Sequence, residues 1–438
     1  VVTLHEALTR SGLVRATAFA AVALMATSAP SFAAKADDPE RWATYPASLD
    51  EILLRYPSSD ANQTAIDVER LAADIGIDVV PKAAERKLRP SADAAAAYEK
   101  SRLAVSDYLN EQLTRVDSGV SAPLPGAAGF LLERRDAIEA LCARLEHGDP
   151  PRWERHLESL NAMRIPNLLG LMNLHRALLA DAFLRQSQGD DQGALRDIEA
   201  SWTLNTALRD EPVVIDQLIA IAIARLQAGT LRHVPAAPAG WRDRLREHDY
   251  HDSLLAALQV QGWMWMHADM PHTLSLDDSV FTRLGLVVGE PYLRACMENT
   301  AEIWSRQLVR LARSRALCGV ATESLEAETL AEIPWWNRFG GDVVKNLPGA
   351  MLRSARFDLD VELTARVLEL RAAKRDAGSW PAALMAEAES EACPGARWIY
   401  EIAPGNERSI ALDRDVTWPG QVGAILPNRY VTSRRDRE

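Results

Sequence analysis

Lysine is nearly missing from this 438-residue chain: of 49 basic residues six are Lys, and the rest are Arg. With Ala also in excess, the bias reads as that of a GC-rich coding sequence, not as a phosphate-binding device. Basic charge is short overall, with a net charge of −12, so long-range attraction to nucleic acid or anionic lipid is disfavoured. Cysteine is limited to positions 142, 296, 318 and 393, with no C-x-x-C pair, which excludes zinc-ribbon, iron–sulfur and thioredoxin-type sites. Also absent are G-x-S-x-G, S-x-x-K, a P-loop and G-x-G-x-x-G. No cofactor or metal is therefore expected, and catalysis is left only to residues scattered along the chain.

What is present begins with an export signal. Arg10 and Arg15 precede the apolar run "ATAFAAVALMATSA", and Ser31-Phe32-Ala33 supplies a small-x-small cleavage site before Ala34. That run is too short for a bilayer span of about 20 residues. Residues 1–33 are expected to be a signal peptide, which places the mature chain, of net charge −13, in the periplasm of a diderm bacterium. Residues 34–47 read as a polar linker, 48–389 as a helical domain and 390–438 as a small β-containing segment. Export permits a disulfide. Cys296 and Cys318 are expected near opposite ends of one long helix, about 33 Å apart, which rules out a bond between them. Cys318–Cys393, Cys142–Cys393 and free buried thiols all stay open.

Apolar residues, 47% of the chain, recur mostly with helical period. "SLDEILLRYP" opens on a capping box of Ser48 and Glu51, and Asp60 with Gln63 repeats the pattern. Further helices are predicted at roughly 92–116, 127–147, 151–162, 166–187, 191–209, 212–228, 238–246, 251–268, 289–317, 322–332 and 345–376. Gly148, Gly229 and Gly319 are placed as C-terminal stops, and Pro150, Pro166 and Pro212 as first-turn residues. Residues 212–228 are apolar on nearly every face. Asp216 and Arg225 interrupt them, so they are expected at the centre of the array, with no membrane span in the mature chain. Residues 274–291 show no clean helical period and read as a surface loop. "ARWIYEI" and "RSIALD", around "APGNE", read as a β-hairpin, and "GAILPNRYVTS" as a further strand.

The expected fold class is mainly α: an irregular array of antiparallel helical hairpins with a small C-terminal β-hairpin. Ala182, Gly189-Asp190, Ala194, Ile198 and Ser201 fall at the small, turn, small, apolar and small positions of a tetratricopeptide repeat, which this one hairpin resembles. No second copy occurs at a 34-residue period. The ordered set "LLRYPSSDANQTAIDVERLAADIGID", Gly189-Asp190, "WWNRFGG", "GSWP" and "CPGARWIYEI" resembles a group of uncharacterised exported helical bacterial proteins across most of residues 46–412. That likeness implies architecture and export, and it carries over no catalytic residue.

Three constellations are candidates for chemistry. His248-Asp249-Tyr250-His251-Asp252 with His267, Asp269 and His272 is the densest set of ligand types. Its competing reading is a helix start capped by Asp249 or Asp252. Trp263 and Trp265 read either as part of an apolar groove or as core. Trp335, Trp336 and Phe339 sit on an inter-helix loop, where exposed aromatics mark a contact surface and buried ones a tertiary wedge. Asp358 and Glu362 share a helix face, as an acid–base pair or as a solvated helix start. The reading that results is an exported helical scaffold or binding protein of the envelope, with another envelope protein or a peptide as partner and oligomeric state left open. The alternative is a periplasmic metal-dependent hydrolase built on His248, His251 and His267.

Overall fold

A computed structural model describes residues 45–81, 88–117, 119–157, 165–267, 280–313, 317–318, 322–337, 340–341, 346–383, 388–403, 407–416 and 426–432. The expected leader lies outside them, as does the linker up to residue 44. The chain is mainly helical, with one three-stranded antiparallel sheet near its C-terminal end.

Helix α1 (Leu49–Arg55) starts on the expected box: Ser48 Oγ accepts from Glu51 N at 3.2 Å, and the Glu51 carboxylate accepts from Ala47 N at 2.7 Å. Helix α2 (Gln63–Ile75) is capped by Asn62 and not by the expected Asp60. Asn62 Oδ1 accepts from Ala65 N (2.9 Å) and Arg152 N (3.1 Å) while Nδ2 donates to Pro150 O (2.8 Å), so one side chain closes the helix and docks a distant segment. That segment overturns the helix predicted over 151–162 wherever it is described. Arg155 pairs antiparallel with Ser59, and Trp153 is buried with Nε1 on the Glu69 carboxylate at 3.2 Å. Pro150 and Pro151 favour extended chain, and residues 59–62 supply its hydrogen-bond partners.

Helix α3 is Ala92–Leu113. The helix predicted over 127–147 is two, α4 (Pro125–Glu133) and α5 (Arg135–Glu146), broken at Arg134. The break lets α4 pack on α3 while α5 packs on α2 and on the helix Asp191–Arg209. Helices α6 (Leu168–Ser187) and α7 (Asp191–Arg209) form the predicted hairpin. Gly189 turns at φ +83°, and Asp190 Oδ1 caps α7 through Gly193 N at 2.9 Å. Ser201 Oγ meets His175 Nδ1 (2.9 Å) and Gln227 Nε2 (2.8 Å), joining α6, α7 and the helix that carries Gln227 through one hydroxyl.

Helix α8 (Val214–His233) is the central rod, touching α3, α6, α7 and, further along the chain, the helices Tyr250–His267 and Asn346–Ala377. By length and composition it could cross a membrane; here most of it is buried among other helices. It does not stop at Gly229. A Cβ there would lie 2.7 Å from Leu426 and 2.8 Å from Leu113, so this glycine admits close packing instead of ending the helix. Next come α9 (Trp241–Glu247), α10 (Tyr250–His267) and α11 (Val280–Arg313). The loop predicted over 274–291 is helical from Val280 onward, with Pro291 inside the helix. Pro291 removes a single backbone donor, and packing of α11 along α10 overrides the weak local pattern.

After α12 (Thr322–Ala331), α13 (Asn346–Ala377) runs between α8, α9, α10 and α12 and reaches the sheet. Strands β1 (Trp398–Ala403) and β2 (Glu407–Leu412) pair from Trp398↔Leu412 to Ala403↔Glu407, and β3 (Arg429–Val431) joins β2 with Ile410↔Tyr430. Trp398, Ile410, Leu412 and Tyr430 bury the sheet against Leu359, Leu363, Val367 and Leu370 of α13. A disulfide joins Cys318 to Cys393 (Cα–Cα 5.1 Å), and Cys142 and Cys296 are free and buried.

Candidate functional site

The junction of α9 and α10 lies over the middle of α13, beside residues 389–394. Between them are two cavities of about 450 and 330 Å³ that share Arg246, Glu362 and Glu391, and so form one polar groove. Helix α13 presents Asp358, Glu362, Ala365, Arg366 and Glu369 to it, a spacing that keeps all five on one face.

The pair Asp358–Glu362 is therefore not a solvated helix start. Helix α13 begins at Asn346, and Glu362 is 4% exposed. Its carboxylate accepts from Ser390 Oγ (2.6 Å), Trp398 Nε1 (2.7 Å) and Arg366 Nη2 (3.0 Å), so it clamps the 390s loop and the sheet onto the helix. Asp360, turned away from this face, holds Arg225 (2.9 Å), Arg232 (3.0 Å) and Arg356 (3.4 Å). Burial works to raise its pKa, but the three guanidiniums outweigh that and hold the carboxyl below the usual range.

At the other end of the groove Asp249 caps α10 through Asp252 N (2.9 Å). His248 Nε2 lies 3.1 Å from Ser253 Oγ, with its ring edge-on to Tyr250. Burial, then the Arg209 charge, lowers the His248 pKa, so its imidazole is neutral at pH 7. His251, buried, lines the same cavity. His267 does not: it sits 16 residues further along α10, about 24 Å at 1.5 Å per residue, stacked on Trp263. Asp269 and His272 lie outside the described residues. Two of the three histidines thus meet at the groove, and among the described residues no set of three His, Cys, Asp or Glu side chains is placed to hold a metal.

The aromatic candidates separate. Trp263, 6% exposed, is wedged among Ile52, Tyr56, Leu157 and Val260, which makes it core and not groove lining. The side chain of Trp265, and all of Phe339, lie outside the described residues. Trp335 is 81% exposed, and Trp336 is half-buried with its carbonyl accepting from Tyr292 Oη at 2.7 Å. Asn337 pins their loop to α11 through Cys296 O (3.1 Å) and Asn299 Oδ1 (2.8 Å), which holds Trp335 outward.

Two buried acid clusters lie elsewhere. Asp181 and Asp197 share Arg185 at 2.8 and 3.1 Å, and burial, then the Asp181 charge, pushes the Asp197 carboxyl well up. At the α7–α8 turn, Glu211 and Asp216 line a cavity of about 20 Å³, room for one water. Burial, then the Glu211 charge, raises Asp216 to about 8. Burial raises Glu211 to about 7 against the pull of Arg155 at 3.3 Å.

Sequence reading missed Arg246, Arg366, Glu389 and Glu391. The one local sign was Glu362–Arg366 at i,i+4, which resembles any surface pair until α13 is known to be covered on several sides. No protein-family model, curated protein or solved structure matches the chain.

Proposed function

We propose that the protein is an exported binding protein of the bacterial envelope that takes a peptide-sized envelope component in the groove over α13. The observation that carries this reading is the pair of joined cavities with fixed walls: α9, α10 and α13 on one side, and on the other a loop held by Glu362 and the Cys318–Cys393 disulfide. Their volumes fall in the range of small-ligand sites, and their mostly charged lining sets the polarity of what they can take. The disulfide supports an oxidising compartment, and with it the signal-peptide reading of residues 1–33. The α6–α7 hairpin and the likeness to exported helical proteins support a scaffold that presents one face.

The test is a thermal-shift screen of the mature chain against the low-molecular-weight fraction of a periplasmic extract, with Glu391→Ala as control. A shift in the wild type that the variant loses supports the reading. No shift in either rejects it. N-terminal sequencing of the exported product is expected to begin at Ala34.

A second reading, a hydrolase, has one observation in its favour: neutral His248, with His251 and Asp358, lines a single cavity. Turnover of ester, amide or phosphoester substrates that is lost in His248→Ala would establish it; turnover that persists there would reject that base.

A further inference from the structure

We infer that Ser253, with His248 as its base, is the nucleophile of an esterase site at the α9–α10 junction, acting on small esters that carry no negative charge. Ser253 is the attacking group that the hydrolase reading lacks, and its assignment rests on that reading. Ser253 Oγ lies 3.1 Å from His248 Nε2, and His248 Nδ1 lies 3.9 Å from the Asp210 carboxylate. With its proton on Nδ1, the side of Asp210, the imidazole offers Nε2 as acceptor to the hydroxyl, which is the order of nucleophile, base and orienting acid. Arg209 and Asp210 at the end of α7, with Glu247 and Asp249 beside it in sequence, are the charges that His248 meets; burial and Arg209 outweigh the three acids and leave the base neutral. His248 precedes the cap Asp249, and Ser253 is the fourth residue of α10. A helix start commonly packs an apolar pair at those two places, so an imidazole on a hydroxyl there departs from the structural pattern.

His248 brings the pair to the 330 Å³ cavity, which it lines together with Tyr250 and Phe357. A helical side chain leans toward the N-terminus, so the half-buried Ser253 hydroxyl stands over the first turn of α10. The N–H groups of that turn have no helix carbonyl to donate to, and they suit the oxyanion of a tetrahedral intermediate. Ser253 Oγ attacks the acyl carbon as its proton passes to His248 Nε2, and the imidazolium then protonates the departing alkoxide. The acyl group is left on Ser253. Water, giving its proton to the same nitrogen, attacks the acyl-serine; that proton returns to Ser253 Oγ as the carboxylic acid leaves. Against Arg246 the cavity sets Asp249, Asp358, Glu362 and Glu391, which turns anionic esters away.

The test treats the full mature chain with a fluorophosphonate probe and locates the adduct by peptide mass spectrometry. A single adduct on Ser253 is expected. Hydrolysis of p-nitrophenyl acetate is expected to run about tenfold faster than that of the anionic p-nitrophenyl hydrogen succinate. Ser253→Ala should abolish labelling and turnover while melting within about 1 °C of the wild type, and His248→Ala should slow turnover roughly hundredfold. Asp210 is a positioning residue that raises the His248 pKa, so Asp210→Asn should move the midpoint of the pH–rate profile to lower pH. An unmoved midpoint removes Asp210 from the site. No adduct, an adduct confined to another serine, or undiminished turnover in Ser253→Ala overturns the inference, and equal rates for the two esters overturn the substrate class. Turnover that survives Ser253→Ala but is lost in His248→Ala keeps the hydrolase reading, with water as the nucleophile, and removes this serine.

Discussion

Asp216 keeps its proton to about pH 8, far above the ordinary aspartate value, because its carboxyl is 3% exposed at the α7–α8 turn and Oδ1 has no partner there among the described residues. Unfolded, the same group releases its proton near pH 4. Between those values the folded chain binds a proton that the unfolded chain does not, so stability falls as pH rises through that window and levels off above pH 8. Glu211, held up to about 7, adds to the same slope over the lower part of the range. We expect Asp216→Asn, which cannot ionise, to flatten the fall and to raise Tm at pH 8 by roughly 2–4 °C. Melting curves from pH 5 to 9 decide it; an unchanged slope would mean that the carboxyl finds water when ionised. Trp335 gives the contrasting case. At 81% exposure Trp335→Ala is expected to leave Tm within about 1 °C of the wild type, so any change in partner recovery would report contact and not unfolding.

Helix α8 shows how an element is finished by distant residues. Its C-terminal carbonyls are met by Arg371 of α13, whose Nη1 donates to Leu231 O (3.3 Å) and Val234 O (3.1 Å) and whose Nη2 donates to Arg232 O (2.6 Å) and Tyr430 Oη (2.9 Å). A guanidinium at a helix C-terminus also opposes the macrodipole. Arg371→Met should cost about 2–4 kcal/mol in urea unfolding, and Arg371→Lys should recover little, because an ammonium lacks the planar fork. Gly229→Ala should cost about 1–3 kcal/mol through the crowding with Leu113 and Leu426; a neutral effect would show that the two leucines can move aside. These two residues also mark where sequence was legible. Periodicity located the helices, the Gly189 turn and the C-terminal hairpin, since those depend on local pattern. It misplaced the end of α8, the extended path at 151–157 and the start of α11, because each is settled by chain that packs against it. The groove was half visible: His248, His251, Asp358 and Glu362 stood out as residue types, whereas Arg366 needed α13 to be placed before its ion pair with Glu362 could be read as part of a cavity wall.

For the whole molecule, the Cys318–Cys393 bond is a covalent cross-link, added to the backbone connection, between the helical body and the C-terminal sheet layer. It spans 75 residues of sequence and ends in the loop that walls the groove, next to Ala392 and Pro394. Closing a loop of that length restricts the unfolded chain by about 4 kcal/mol on the chain-entropy estimate. Because Glu362, Ser390 and Trp398 also fasten this loop, cutting the bond should weaken the sheet layer without dissolving the helical body. We therefore expect Cys318→Ser, Cys393→Ser to lower the urea midpoint, and a reductant to do the same to the wild type and nothing to the variant. Thiol titration gives the independent count: denatured without reductant, protein purified under oxidising conditions should show two reactive thiols, Cys142 and Cys296, both shielded in the native fold. Cys142 is further protected because burial, then the Asp197 charge, raises its pKa and keeps it a thiol. Four reactive thiols in such material would remove the disulfide, and with it the covalent tie on the loop that walls the groove.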